Sequence, residues 1–143
     1  MRNAGIAFLL ILAVVVVTRT GRDETPRPTA GTAGSVCSIS PQRVTQRDGK
    51  LVAAAQFRCA DPGPDRLVVT VRLQRSTDSG WQTVTEQTFT AAKADTLRSV
   101  PSAQRTRQVT AACQAGSYRT QAAWTVDNGR VNTALGSERR NPC

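Results

Sequence analysis

The sequence predicts an all-β chain, an antiparallel two-sheet sandwich of about seven short strands behind an N-terminal hydrophobic helix. Three observations predict it. Apolar and polar residues alternate with period two along 51–59 and 66–75. Turn-forming clusters recur about every 8–12 residues. No segment after Val17 carries a helical apolar stripe.

The N-terminal segment comes first. Met1, Arg2 and Asn3 precede an unbroken apolar run, 4–17, and no such run recurs. A basic start before an apolar core marks an export signal or a membrane anchor. The run suits a signal-peptide core and is shorter than the roughly 20 residues a spanning helix prefers. The flank argues against cleavage, because Val16 and Thr18 make a poor small-residue pair for signal peptidase. The expectation is a single-pass anchor over 1–17 facing the domain outward, with cleavage and secretion as the alternative. The segment 18–35 is rich in Thr, Pro, Gly and charge and lacks apolar periodicity, so it is expected to be a disordered tether.

The domain is expected over 36–143, one core's worth of chain. A short first strand covers 36–40. In 51–59, Leu51, Ala53, Ala55, Phe57 and Cys59 face inward; in 66–75, Leu67, Val69, Val71 and Leu73 do so, leaving Thr70, Arg72 and Gln74 outward. The 76–80 cluster turns the chain into a strand over 81–90. The stretch 91–100 is ambiguous, with room for one helical turn at 91–94. Strands at 108–113 and 118–126 flank Gln114-Ala115-Gly116-Ser117, and Asn128-Gly129 is the strongest short hairpin signal, suited to a type I′ turn before a last strand at 131–135.

This architecture resembles immunoglobulin-like folds over the last three quarters of the chain. The segments Leu73-Gln74-Arg75…Gly80-Trp81 and Cys113-Gln114-Ala115-Gly116-Ser117-Tyr118-Arg119 are similar to those of small exported immunoglobulin-like β-sandwich proteins of actinobacteria. Arginine usage fits that source, since Lys50 and Lys93 are the two lysines. The resemblance implies an exported compartment and this fold, and no activity. Antibody-type domains place a tyrosine two residues before the second cysteine, whereas Tyr118 follows Cys113.

Four cysteines permit three pairings. Cys37 and Cys59 are equidistant from Asp48 in the Arg47-Asp48-Gly49-Lys50 turn, and Cys113 and Cys143 are equidistant from Asn128. Residues equidistant from a hairpin centre meet at one end of the sheet, which favours 37–59 with 113–143. The immunoglobulin-like alternative is 59–113 with 37–143. No pair has C-x-x-C spacing and the chain has no histidine, so structural disulfides are expected rather than a metal or redox site.

No catalytic constellation is visible. Without histidine there is no Ser-His-Asp or Cys-His arrangement. A carboxylate pair is the remaining route. Of Asp48, Asp61, Asp65, Asp78, Glu86, Asp95, Asp127 and Glu138, all but Glu86 fall in expected turns, loops or tail, where Asp shapes backbone. Nothing suggests a cofactor, and the expectation is a protein that is not an enzyme.

The chain carries 19 Lys and Arg against 10 Asp and Glu, a formal charge of +9. Such a surface attracts polyanions. Arg72 and Gln74 on one strand and Arg119 and Gln121 on another are expected to form a flat polar, cationic face, extended by Arg105 and Arg107. The expected function is a non-catalytic extracytoplasmic interaction module, contacting an anionic envelope polymer or a protein through that face. Few aromatics are available to stack bases, which disfavours nucleic acid. The alternative is a secreted inhibitor or toxin-like effector that presents loop 61–65, stiffened by Pro62 and Pro64, to a target enzyme.

Overall fold

Period-two burial builds the core. Leu51, Ala53, Ala55, Phe57 and Cys59 are buried together with Leu67, Val69, Val71 and Leu73, all at 1% exposure or less. The computed structural model describes residues 37–143, so the expected helix at 1–17 and tether at 18–35 lie outside the described residues. Among the described residues, no helix is long and apolar enough to cross a membrane.

The elements are β1 (Cys37–Pro41), β2 (Thr45–Arg47), β3 (Lys50–Cys59), β4 (Arg66–Thr77), β5 (Gly80–Ala92), α1 (Lys93–Thr96), β6 (Thr106–Ala112), β7 (Ser117–Val126), β8 (Asn132–Leu135) and β9 (Arg139–Arg140). They form two antiparallel sheets. In the first, β1 and β2 follow one another along one edge of β3, and β6 lines the other edge. In the second the order is β5-β4-β7, with β8 and then β9 along the far edge of β7. One apolar cluster joins both sheets, with Ile39, Phe57 and Val109 from the first meeting Val71, Tyr118 and Ala122 from the second.

The first hairpin turns through Asp48 and Gly49, with φ of 51° and 72°, the positive pair of a type I′ turn. Thr45 opposes Val52 next to this turn, but further along Ile39 opposes Phe57, so the register has stepped by one residue. The extra residue lies between Pro41 and Thr45, where Val44 is fully buried and the Gln42 amide reaches the Ala54 carbonyl at 2.7 Å. At the turn's own register Cys37 would oppose Ala60, and Ile39 would oppose solvent-facing Arg58. The step sends Ile39 into the core and sets Cys37 opposite Cys59. Both expected disulfides are present: Cys37–Cys59 with Cα atoms 4.0 Å apart, and Cys113–Cys143 with Cα atoms 5.8 Å apart. Two bridges point to an oxidising, extracytoplasmic environment.

The second hairpin corrects the expected turn. The positive φ angles belong to Asp127 (47°) and Asn128 (59°), one residue earlier than an Asn128-Gly129 turn. Asp127 is pinned there, because its carboxylate accepts the Arg66 amide at 2.8 Å and its own amide donates to the Arg66 carbonyl at 2.9 Å. Gly129 serves close approach instead, since a Cβ there would lie 2.9 Å from the Val126 carbonyl oxygen.

Two further differences follow from edges and loops. Val52 and Ala54, outward by alternation, are only 8% and 7% exposed. The ambiguous 91–100 stretch gives β5 its last residues, the single turn α1, and a bridge from Leu97 to Cys59. Gly63, which lies against Lys93, Thr96 and Leu97, and Pro64 are buried, so within 61–65 only Asp61, Pro62 and Asp65 are exposed.

Candidate binding face

Strand register brings four of the six expected face residues together. Arg72 lies opposite Gln121 and Gln74 opposite Arg119 on β4 and β7, all on the side of the sheet turned from the core. On the other flank of β4, Arg72 opposes Glu86 of β5. A one-residue irregularity in the β4–β5 register after Leu73 leaves Val84 unpaired, so Gln74 meets Thr83 and Ser76 meets Trp81.

These side chains form a continuous row. Arg72 Nε donates to Glu86 Oε2 at 2.5 Å, and Arg72 Nη1 reaches Gln121 Oε1 at 3.4 Å. Gln74 Nε2 donates to the same Gln121 oxygen at 3.2 Å. Arg119 Nε donates to Gln74 Oε1 at 2.9 Å, while its guanidinium lies 4.2 Å from the centroid of the Trp81 ring. Gln74 differs from its expected exposure. It is only 7% exposed, with Arg119 and Gln121 of β7 bonded to its amide and Thr83 of β5 on its other side.

The electrostatics differ from those of a free cationic face. The Arg72 side chain keeps 30% of its exposure and that of Glu86 52%, so the pair is solvated and contributes at most about 1 kcal/mol. Its effect is to cancel charge and fix an orientation. Arg119 has no carboxylate within ion-pairing distance among the described residues, and its planar group stacks on Trp81 at a partly exposed site.

The other two expected residues lie elsewhere. Arg105 immediately precedes β6 in the opposite sheet and is 9% exposed, donating to the Val100 carbonyl at 2.7 Å and the Phe57 carbonyl at 2.9 Å. It is a strap for the loop before β6. Arg107 sits on β6 opposite Ala55, 5.2 Å over the Phe57 ring, and donates to the Gln104 carbonyl at 2.7 Å. Neither extends the Arg72–Arg119 row.

Trp81 and Glu86 complete the row and were not among the residues expected in it. Their signal was parity: with β5 paired antiparallel to β4, alternate residues of β5 share the face of Arg72, once the residue at Val84 is skipped. Among the described residues, no three His, Cys, Asp or Glu side chains converge as a metal site. No family model matches the chain, and no curated protein matches it.

Proposed function

We propose that this protein is a non-catalytic extracytoplasmic interaction module of immunoglobulin-like architecture, tethered by its N-terminal segment, that binds a protein partner through the outer face of β5, β4 and β7. The observation that carries the reading is the Glu86–Arg72–Gln121–Gln74–Arg119–Trp81 row, in which five hydrogen bonds and contacts hold side chains in place before any partner arrives. Held side chains lose little freedom on binding, and arginine and tryptophan dominate the energetics of protein interfaces.

Connectivity supports the architectural part. With β1 and β2 counted as one interrupted strand, and β8 and β9 as another, the first, second and fifth strands face the fourth, third, sixth and seventh. Tyr118 adds to it. At the start of β7 its hydroxyl donates to the carbonyl of Gln114, four residues upstream, at 3.0 Å. A tyrosine bonded in this way at the corner before the sixth strand is a hallmark of immunoglobulin-like sandwiches.

The test is capture from an envelope extract of the source cells with the oxidised protein, in parallel with Arg119→Glu and Trp81→Ala. The expected result is a protein retained by the wild type and lost by both variants, whose folding by circular dichroism is unchanged. A partner held equally by all three refutes the face.

A further inference from the structure

The opposite sheet carries a different surface. On the outer side of the β3 sheet, Arg43, Arg47, Lys50 and Arg58 are exposed, and the nearest acids in sequence are Asp48 in the hairpin turn and Asp61 beyond Arg58. The ion pairs among the described residues are Arg72–Glu86 and Arg140–Glu138, so none of these four cations is paired there. Between them the sheet is nearly closed to water by Val52 and Ala54, giving a neutral floor. Arg43, Arg47, Gln56 and Gln108 line a shallow concavity of about 660 Å³ over that floor, with the loop at Ser102 and Ala103 as its wall.

Spacing distinguishes the ligand. Arg47 stands directly opposite Lys50, and Arg58 lies at the other end of β3. At about 3.4 Å per residue, the cations span on the order of 27 Å along the strand. A single small anion neutralises one end. A chain with anions at regular intervals engages both ends at once, and guanidinium groups bind phosphate oxygens in paired hydrogen bonds. A concave site lying along a strand engages a strand-like polymer more fully than a flat lipid surface.

We propose that the outer face of the β3 sheet is a docking groove for a linear, phosphate-bearing polyanion, independent of the partner face on β4 and β7. The polymer runs parallel to β3, with Arg43, Arg47 and Arg107 around the concavity and Arg58 beyond it, near the far end of the strand. Phe89, the one aromatic lining the concavity, is half-buried against the core, so the groove reads charge spacing and not bases.

The test is binding of a labelled long-chain inorganic polyphosphate to the full-length oxidised protein over a salt series. The wild type is expected to bind with an affinity that falls steeply with salt. Arg43→Glu with Arg47→Glu is expected to lower affinity at least tenfold and flatten the salt dependence. The carboxylate introduced at position 47 would face Lys50, a favourable cross-strand pair, so folding is preserved; the neutral pair Arg47→Gln with Lys50→Gln gives an intermediate loss. Arg72→Glu with Arg119→Glu is expected to stay within twofold of wild type, which separates this groove from the partner face. Equal loss in both sets, no loss in the first, or tighter binding to phosphatidylglycerol vesicles or to an oligothymidylate of matched charge would overturn the proposal.

Discussion

Gln74 is the acceptor for Arg119, Oε1 to Nε at 2.9 Å, and the same amide donates onward to Gln121 at 3.2 Å. A nearly buried amide thus sets the angle of an arginine above Trp81, and links the two strands at the centre of the sheet.

Replacing Gln74 with Ala removes both contacts at once. The expected cost is about 1–2 kcal/mol, since Arg119 and Gln121 retain access to water. The Trp81 ring loses its ordered cover, so emission shifts to longer wavelength. Urea unfolding and tryptophan fluorescence measure the two effects. Arg119→Lys keeps the charge and loses the planar stack, and is expected to reproduce the fluorescence change without the full loss of stability.

Arg105→Ala is expected to be costlier than any change on the Arg72 face, about 2–3 kcal/mol, because it leaves the Val100 and Phe57 carbonyls without their charged donor in a closed site. Arg105→Lys recovers only part, since one ammonium cannot reproduce two diverging N–H donors. Denaturant midpoints for the three proteins decide it. An alanine variant within about 0.5 kcal/mol of wild type would return Arg105 to the ordinary surface.

Thr120 offers the opposite sign. Its hydroxyl is fully buried in β7 and has no hydrogen-bond partner among the described residues. Valine has the same shape without the desolvated oxygen, so Thr120→Val is expected to stabilise the domain by up to about 1 kcal/mol. A thermal transition that moves down instead of up refutes this account of the site.

The disulfides are expected to differ in what they protect. Either pair of Cys→Ser changes costs about 3 kcal/mol by loop length, with 22 and 30 residues separating the partners. Loss of Cys113–Cys143 additionally frees the tail whose Asn141 amide and side chain clasp Gly116 at 2.8 and 3.1 Å. Hydrogen exchange is expected to speed at Gly116 and Asn141 while β3 stays protected. Uniform acceleration would mean that the bridge holds the whole domain and not a local clasp.

Much of the fold was legible because alternation is local: Leu67 to Leu73 declare their faces without knowledge of any neighbour. The cysteine pairing was legible too, though for an incomplete reason. Equidistance from Asp48 does not place Cys37 opposite Cys59 until the extra residue near Val44 steps the register, and nothing local announces such a step. The same limit hid the burial of Gln74, which depends on what Arg119 does across the strand. Arg105 was misplaced because an arginine beside a strand looks alike whether it faces water or two carbonyl oxygens. The Tyr118–Gln114 bond was not legible, because the spacing of a tyrosine from a cysteine says nothing of the carbonyl its hydroxyl reaches.

The Cys37–Cys59 bridge also decides how mechanical tension enters the domain. Without it, a pull on the chain ahead of Cys37 would peel β1 from β3 one hydrogen bond at a time, beginning at the Cys37 end and proceeding toward Pro41. The sulfur link diverts that load past β1 and into Cys59, at the end of a central strand bonded along both edges. Strands held on both sides yield in shear, many bonds together, so a domain pulled from the chain ahead of Cys37 resists as a block rather than unravelling from its first strand.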